Sequence, residues 1–183
     1  MTWKVIFAGL GGQGVVSAGI LLGEAAVIHE GRHAVQTQTY GAEMRGGLSR
    51  ADVTISDEPV MYPKVTQAHI LVCMHQKALT ANLRLIRPGA LLVTDASHVT
   101  VDRSTDARCV ELPFSRRATE EFGSDRSANI CMLGSVASLT EIVGRESLRA
   151  AVAERFGTRK RALDAFDLGL SLVEGRVALH GRV

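Results

Sequence analysis

The sequence has few cysteines, few prolines, few aromatic side chains and no long apolar run. Its three cysteines, Cys73, Cys109 and Cys131, lie far apart in 183 residues. They therefore form neither a disulfide framework nor a C-x-x-C site for a metal or cluster within this chain. No apolar stretch reaches the roughly 18–20 residues that a membrane-spanning helix requires. We expect no membrane partner and no redox cluster in the chain.

Net charge is also small, because 21 Lys and Arg residues nearly balance 19 Asp and Glu residues. Nucleic-acid binding requires basic residues gathered on one face, whereas the basic clusters at 116–117 and 159–161 are short and separate. An apolar content of 46% is typical of a soluble globular protein. We expect one domain spanning 1–183, with no nucleic-acid partner. A strand begins at once without a basic leader, which favours the cytoplasm.

Strand and helix patterns alternate along most of the chain. Apolar or alternating segments predict strands at 3–8, 34–40, 49–56, 70–74, 90–94 and 109–112, and helical spacing predicts helices at 15–30, 77–86, 114–122, 129–143, 146–156 and 158–173. This alternation is typical of an α/β fold, here a Rossmann-like three-layer domain with a largely parallel sheet. The region near residues 35–56 has no room for a crossover helix, so we interpret it as a hairpin-like excursion.

The first motif is GLGGQG, residues 9–14, between a predicted strand and a predicted helix. Glycine accepts positive φ angles and lets a backbone approach closely, and a helix N-terminus favours anions. A dinucleotide fold also needs an acid about 20 residues further on, and the segment 33–39 has none. The turn therefore either packs helix on sheet or binds the phosphate or pantetheine end of another ligand. The candidate cofactor-binding residues are Gly9, Gly11, Gly12, Gln13 and Gly14.

The second motif is QTQTYGAEMRGG, residues 36–47, an unusually polar strand that runs into a glycine-rich loop. One interpretation is a well-capped turn in which Glu43 and Arg45 form a surface ion pair of little energetic value. The alternative is a loop that contacts another chain or a ligand, as loops on rigid sheets often do. The candidate partner-contact residues are Tyr40, Glu43, Arg45, Gly46 and Gly47.

The two motifs together resemble those of the gamma subunit of 2-oxoacid:ferredoxin oxidoreductases. Further matches in the same order are SRADVTIS at 49–56, YPKV at 62–65, RPGALLVTD at 87–95 and SANICMLG at 127–134. The resemblance covers residues 4 to 140. The polar form of the second motif is closer to the 2-oxoglutarate-type subunits than to the pyruvate-type subunits.

The resemblance implies a complex that oxidises a 2-oxoacid with coenzyme A to an acyl-CoA and carbon dioxide, and that reduces ferredoxin. Thiamine diphosphate, magnesium and iron–sulfur clusters are then expected in partner chains, with coenzyme A as co-substrate. This chain lacks a thiamine-binding G-D-G motif and grouped cysteines, so no catalytic or metal-binding residue is expected in it. It is expected to pack on alpha and beta chains, with a ferredoxin-like delta chain in some complexes, and to shape the coenzyme A path.

Three alternatives remain open on the sequence. The first is an independent nucleotide- or coenzyme-binding α/β enzyme. The second is a regulatory or assembly protein, and the third is the smaller subunit of indolepyruvate oxidoreductase. The small residues at 128–138 allow packing either between two copies of the chain or within one. Asp95 and Asn129 are expected to cap a turn or a helix.

Overall fold

The computed structural model describes residues 1–41, 46–102, 104–157 and 160–180, with side chains of the last range described as far as Glu174. Its strands are β1 (Thr2–Leu10), β2 (His33–Tyr40), β3 (Leu48–Ser56), β4 (Ala68–Cys73), β5 (Ile86–Asp95) and β6 (Ala107–Leu112). Its helices are α1 (Val15–Glu24), α2 (Gln76–Asn82), α3 (Phe114–Phe122), α4 (Ala128–Leu139), α5 (Arg145–Phe156) and α6 (Lys160–His180). A π-helical turn, Ala25–His29, continues α1.

The described residues form a six-stranded sheet in the order β2-β3-β1-β4-β5-β6. Strands β1, β4, β5 and β6 run parallel, and only β3 runs against the rest, paired antiparallel with both β1 and β2. The largely parallel sheet and the hairpin-like excursion are therefore confirmed. Because Leu48 at the start of β3 pairs with Leu10 at the end of β1, the described ends of the hairpin loop lie at the same edge as the carboxyl end of β1.

Side chains alternate between two cores, one on each face of the sheet, because successive residues of a strand point to opposite faces. Val5 and Phe7 of β1 are fully buried against α1 and the helices from α3 to α6. Ile6 and Ala8 are fully buried on the other face, where α2 and the loop around Val65 cover the sheet. The two helical layers and the sheet between them give the predicted three-layer architecture.

The boundaries of β5 and α4 differ from the prediction, and α6 continues to His180 instead of ending at 173. The segment Arg87–Gly89 does not end a helix but lies in β5, whose pairing with β4 shifts register between Ala68 and Ile70. The extra residues are accommodated as an irregularity that contains Gly89, at φ +68°. Helix α4 ends at Leu139, where the chain becomes extended at Thr140, and the Thr140 hydroxyl donates to the carbonyl of Val136 at 2.8 Å.

The small residues of α4 serve packing within the chain. A Cβ atom added to Gly134 would lie 2.1 Å from the Phe166 carbonyl oxygen, and one added to Gly169 would lie 1.9 Å from that of Cys131. The backbones of α4 and α6 therefore touch directly, and the Ser135 hydroxyl donates to the Gly169 carbonyl at 2.7 Å. This contact supports the interpretation in which the small residues at 128–138 pack within one chain.

Candidate functional site

The structure brings the two motifs together at the carboxyl edge of the sheet. The Gly11 N–H donates to the Gly47 carbonyl oxygen at 2.8 Å, and the Gly41 N–H donates to the Leu48 carbonyl at 2.6 Å where the hairpin loop begins. The glycine turn and the described ends of the hairpin loop thus form one continuous surface. We call this surface the glycine edge; its described residues are Gly9 to Gly14, Tyr40, Gly41, Gly46 and Gly47.

Two glycines of the turn are explained by packing within the chain. A Cβ atom on Gly9 would lie 2.8 Å from Oε1 of Gln13 and 2.9 Å from Cγ1 of Val15. Gly14 adopts φ +70° in the left-handed region, and a Cβ there would lie 2.4 Å from Nδ2 of Asn129. These two residues are glycine because the turn is tight, whatever else the site binds.

Close contacts with other atoms of the chain do not explain why residues 11 and 12 are glycine. Both are exposed. A Cβ on Gly11 would meet only ordinary contacts, 3.7 Å from the Gly47 carbonyl oxygen and 3.8 Å from the Gly46 nitrogen. Gly12 has φ +98° but nothing within 4 Å of an added Cβ. A ligand or neighbouring chain that approaches the backbone would find it open at these two positions.

Gln13 is held at both ends of its amide by main-chain atoms of its own chain. Its Oε1 accepts a hydrogen bond from the Leu10 N–H at 2.7 Å, and its Nε2 donates to the Met74 carbonyl at 3.1 Å. The side chain therefore clamps the turn to the end of β4. This arrangement fixes the N-terminus of α1, for which no side chain among the described residues provides a cap.

The second motif is described only in part. The Tyr40 side chain is 61% exposed at the end of β2. Gly46 is exposed at φ +67°, whereas Gly47 is buried beneath the turn. Glu43 and Arg45 lie outside the described residues. The role of all five residues as partner contacts stays a prediction.

The strand order explains why the glycine turn has no ribose-binding acid beside it. In a dinucleotide fold, the strand that follows the first helix runs parallel beside β1 and carries the ribose-binding acid at its carboxyl end. Here the neighbour on that side of β1 is the antiparallel β3, whose first residues, Leu48 and Ser49, face Leu10 and Gly9. The start of β3 therefore lies where the acid-bearing end of that parallel strand would be.

The described geometry and the motifs agree with one protein family. A model of the pyruvate ferredoxin/flavodoxin oxidoreductase family matches residues 4–172. The chain belongs to this family. The resemblance expected from the two motifs is confirmed, and it extends beyond the segment 4–140 on which the sequence interpretation rested.

Relatives in this family resemble the chain over nearly its whole length. The 2-oxoglutarate synthase subunit KorC of Methanocaldococcus jannaschii is 39% identical over 178 residues, which cover 95% of each protein. Its namesake from Methanothermobacter thermautotrophicus is 41% identical over 178 residues, 93% of this chain and 94% of the relative. A solved structure, the keto/oxoacid ferredoxin oxidoreductase gamma subunit of Geobacter sulfurreducens, superimposes with a TM-score of 0.83 at 31% identity, covering 94% and 99% of the two chains. The fold is that of the gamma subunit.

The three cysteine thiols of this chain all have a raised pKa. Burial raises the pKa of Cys73, and burial with the nearby Asp95 carboxylate raises the pKa of Cys131 to about 12. Burial followed by the charge of Glu111 also raises the pKa of Cys109. Raised values keep thiols protonated and unreactive at neutral pH. Among the described residues, no three His, Cys, Asp or Glu side chains gather to form a metal site.

Asn129 and Asp95 both stabilise junctions between elements at this edge. The Nδ2 atom of Asn129 donates to the Gly14 carbonyl at 3.2 Å, so Asn129 joins α4 to the glycine turn instead of capping α4. Asp95 does act as a cap, since its buried carboxylate accepts from the N–H of Ser97 at 3.0 Å and from that of Ser115 at 3.1 Å. Sequence spacing alone did not predict the contact between Asn129 and Gly14.

An ion pair on β3 between the partly buried Arg50 and the buried Asp52 was also absent from the sequence interpretation. Arg50 binds both carboxylate oxygens of Asp52 and donates to the Val65 carbonyl at 3.2 Å and to Oδ1 of Asn82 at 3.3 Å. Alternate residues of a strand share a face, and this spacing was the available signal. The pair ties the loop before β4 and the end of α2 to the sheet.

Proposed function

We propose that this chain is the gamma-type accessory subunit of a 2-oxoacid:ferredoxin oxidoreductase that uses 2-oxoglutarate. The complex oxidises the 2-oxoacid with coenzyme A to an acyl-CoA and carbon dioxide, and passes two electrons to ferredoxin. The observation that supports this most strongly is the near full-length similarity to 2-oxoglutarate synthase subunits. Those names agree with the 2-oxoglutarate-type form of the second motif.

We propose that thiamine diphosphate, magnesium and the iron–sulfur clusters are bound by partner chains of the alpha, beta and delta types. The expectation rests on the sequence, in which three separate cysteines provide no cluster motif. The protonated state of the thiols at neutral pH is consistent with it. In this arrangement the chain supplies binding surface and no electron-carrying group. We propose that the complex is cytoplasmic. Within the described residues, no helix is both long and apolar enough to cross a membrane.

Within the complex, we assign to the glycine edge the contact with partner chains and with the phosphate or pantetheine part of coenzyme A. The N-terminal N–H groups of a helix favour anions because the helix dipole is positive there. The exposed backbone at Gly11 and Gly12 allows a close approach. Gly9, Gln13 and Gly14 hold this backbone in position. Tyr40 and Gly46 extend the surface on the hairpin side, and the buried Gly47 holds the turn through its carbonyl oxygen.

The assignment is tested by recovering the tagged chain from its native cells and identifying the chains that accompany it. Thiamine- and cluster-binding partners are expected, together with 2-oxoglutarate- and coenzyme A-dependent reduction of ferredoxin by the recovered complex. The isolated chain should have no such activity. A chain that is recovered alone with a stoichiometric nucleotide, or that oxidises a 2-oxoacid without partners, would establish the independent-enzyme alternative instead.

The role of the glycine edge is tested with Gly11→Ala, a change that fits within the chain itself. We expect an unchanged melting temperature, with a raised KM for coenzyme A or weaker retention of partner chains. Met61→Ala is the control, because Met61 is 91% exposed on the loop between β3 and β4, away from the turn. If both variants assemble and turn over like the parent, the glycine edge is not the contact surface.

A further inference from the structure

The outer edge of β2 presents unpaired backbone groups. In an antiparallel ladder, residues that bond to the neighbouring strand alternate with residues that point away from it. The bond from the Gly41 N–H to the Leu48 carbonyl places the pair Gly41–Leu48 among the bonded pairs of β2 and β3. The N–H and C=O groups directed away from the sheet then belong to alternate residues of β2: Ala34, Gln36, Gln38 and Tyr40.

This edge lacks the usual protection against pairing with another strand. Natural edge strands are short, or carry lysine, proline or a bulge. Strand β2 is eight residues long, and its sequence HAVQTQTY contains no proline and no lysine, arginine, aspartate or glutamate. Its register with β3 runs without interruption from His33 to Tyr40. A second strand is thus able to add to it without meeting a buried charge.

An apolar groove of about 310 Å³ lies beside the same strand, between β2 and the end of α1. Ala34 and Gln36 form its floor on the strand side, and Val27 and Ile28 of the π-helical turn form its wall. Val27 is 45% exposed and Ile28 is 62% exposed. The Nε2 atom of Gln36 is buried and has no hydrogen-bond partner among the described residues.

A matching projection lies at the other end of the strand. Tyr40 is 61% exposed, and it belongs to the same face of β2 as Ala34 and Gln36 because even-numbered residues share a face. The chain therefore carries a groove near the start of β2 and an aromatic projection near its end. Two such edges, turned antiparallel, place each projection over the groove of the other.

We propose that two copies of this chain associate through β2, paired antiparallel about a two-fold axis at Thr37. In this register Ala34 lies opposite Tyr40 of the second copy, and Gln36 lies opposite Gln38 of the second copy. Each Tyr40 ring fills the groove of the other copy. The four outward residues of each copy pair through their backbones and continue the sheet across the dimer.

A second copy is favoured as the occupant because groove and projection are both on this chain and one register satisfies both. Such self-complementarity is the defining property of a two-fold interface. No two charged side chains within β2 face each other across the axis, since the strand has none. Association of like subunits covers Tyr40 but leaves the glycine turn, residues 9–14, free for other chains.

The register is tested by disulfide trapping with Thr37→Cys in a Cys109→Ser background, which removes the partly exposed native thiol. Thr37 of the two copies would form a non-hydrogen-bonded pair with Cα atoms about 4.5 Å apart, within disulfide range. We expect a covalent dimer on oxidation. Thr39→Cys is the matched control, because Thr39 would face Val35 of the second copy and should stay monomeric on the same gel.

The two-fold axis is tested independently by charge exchange at the same position. Thr37→Lys and Thr37→Glu each place like charges opposite each other, and each should raise the dimer dissociation constant about tenfold or more in sedimentation equilibrium. A one-to-one mixture of the two variants should restore the dimer. Met61→Lys is the control, since Met61 is 91% exposed on another loop and its variant should dimerise like the parent. Circular dichroism confirms that each variant is folded.

Both tests are made on the purified chain and repeated on the assembled complex, so their outcome does not depend on the proposed function. A monomeric parent chain, trapping at residue 39 but not at 37, or no recovery on mixing would overturn the proposal. So would a complex in which the Thr37→Cys variant fails to cross-link because a strand of a different chain covers β2. Loss of the dimer with normal recovery of partner chains would leave the accessory-subunit assignment standing.

Discussion

The Gly11 N–H and the Gly47 carbonyl oxygen are joined by a 2.8 Å hydrogen bond that connects the glycine turn to the hairpin loop. This bond exists because β3 runs antiparallel beside β1 and returns the chain to the edge where β1 ends. Two motifs distant in sequence thereby become one surface. In a parallel βαβ arrangement the hairpin loop would be absent from this position.

The steric constraint at Gly14 should appear as a loss of stability when a side chain is added. Gly14→Ala should lower the free energy of unfolding by about 2–4 kcal/mol, because it combines a positive φ with a clash against Asn129. Gly12→Ala should cost only about 1–2 kcal/mol, since its φ is positive but the space is open. Urea denaturation of both variants compares the two effects. Equal losses would show that the contact with Asn129 is unimportant.

The pair of partly buried Arg50 and buried Asp52 should matter more than an exposed pair of similar geometry. Arg50→Met leaves the Asp52 carboxylate buried without its cation and should lower the free energy of unfolding by about 3–5 kcal/mol. The control, Arg149→Met, breaks a bidentate surface pair with Asp167, at 3.0 Å for each bond, and should cost less than about 1 kcal/mol. Denaturant titrations of the two variants should separate clearly, and similar losses would contradict the role assigned to burial.

Helices α4 and α6 leave no room for a side chain at Gly169, where their backbones touch. Gly169→Ala places a Cβ within 1.9 Å of the Cys131 carbonyl oxygen, so the helices must separate and the melting temperature should fall by about 8 °C or more. Gly23→Ala, in a helix position with room for the methyl group, should be neutral or stabilising because alanine favours helix. The comparison is made by calorimetry at low protein concentration. A Gly169→Ala variant as stable as the parent would contradict the observed contact.

Stability should fall in mild acid because of His69. Burial, followed by the positive charges of Arg87 and Lys4, lowers the pKa of His69 below its ordinary value of 6.5. Its Nδ1 accepts a hydrogen bond from the Lys4 N–H at 3.1 Å, which requires an unprotonated nitrogen.

The sign of the effect follows from that lowered pKa. Above pH 6.5 the ring is neutral in both states, so its contribution is fully present. As the pH falls below that value the unfolded chain takes up the proton first, and stability is lost down through the lowered pKa. Urea midpoints measured from pH 8 down to about pH 5 should decline less steeply in His69→Gln than in the parent. Parallel curves would remove His69 as a cause.

Local patterns in the sequence predicted most elements correctly. The runs ILVCM and ALLVT are buried strands, and the predicted helix 114–122 is α3, because periodic burial and β-branched content are local properties. The family resemblance was readable for a similar reason, since the residues of each motif lie within a single turn or loop. The prediction erred at 86–89, where pairing with β4 overrides local preference, at 140–143, where the chain becomes extended at Thr140, and at the end of α6.

The sequence by itself determined the class of fold, the two glycine-rich motifs and the absence of a cysteine motif, because each depends on residues that are neighbours in the chain. Only the tertiary structure decided that the motifs meet, that Asn129 supports the glycine turn, and that β2 lies at an open edge beside an apolar groove. These are relationships between distant segments, and they arise from the strand order and the burial of both faces of the sheet. Local sequence patterns do not specify which strands become neighbours in the sheet.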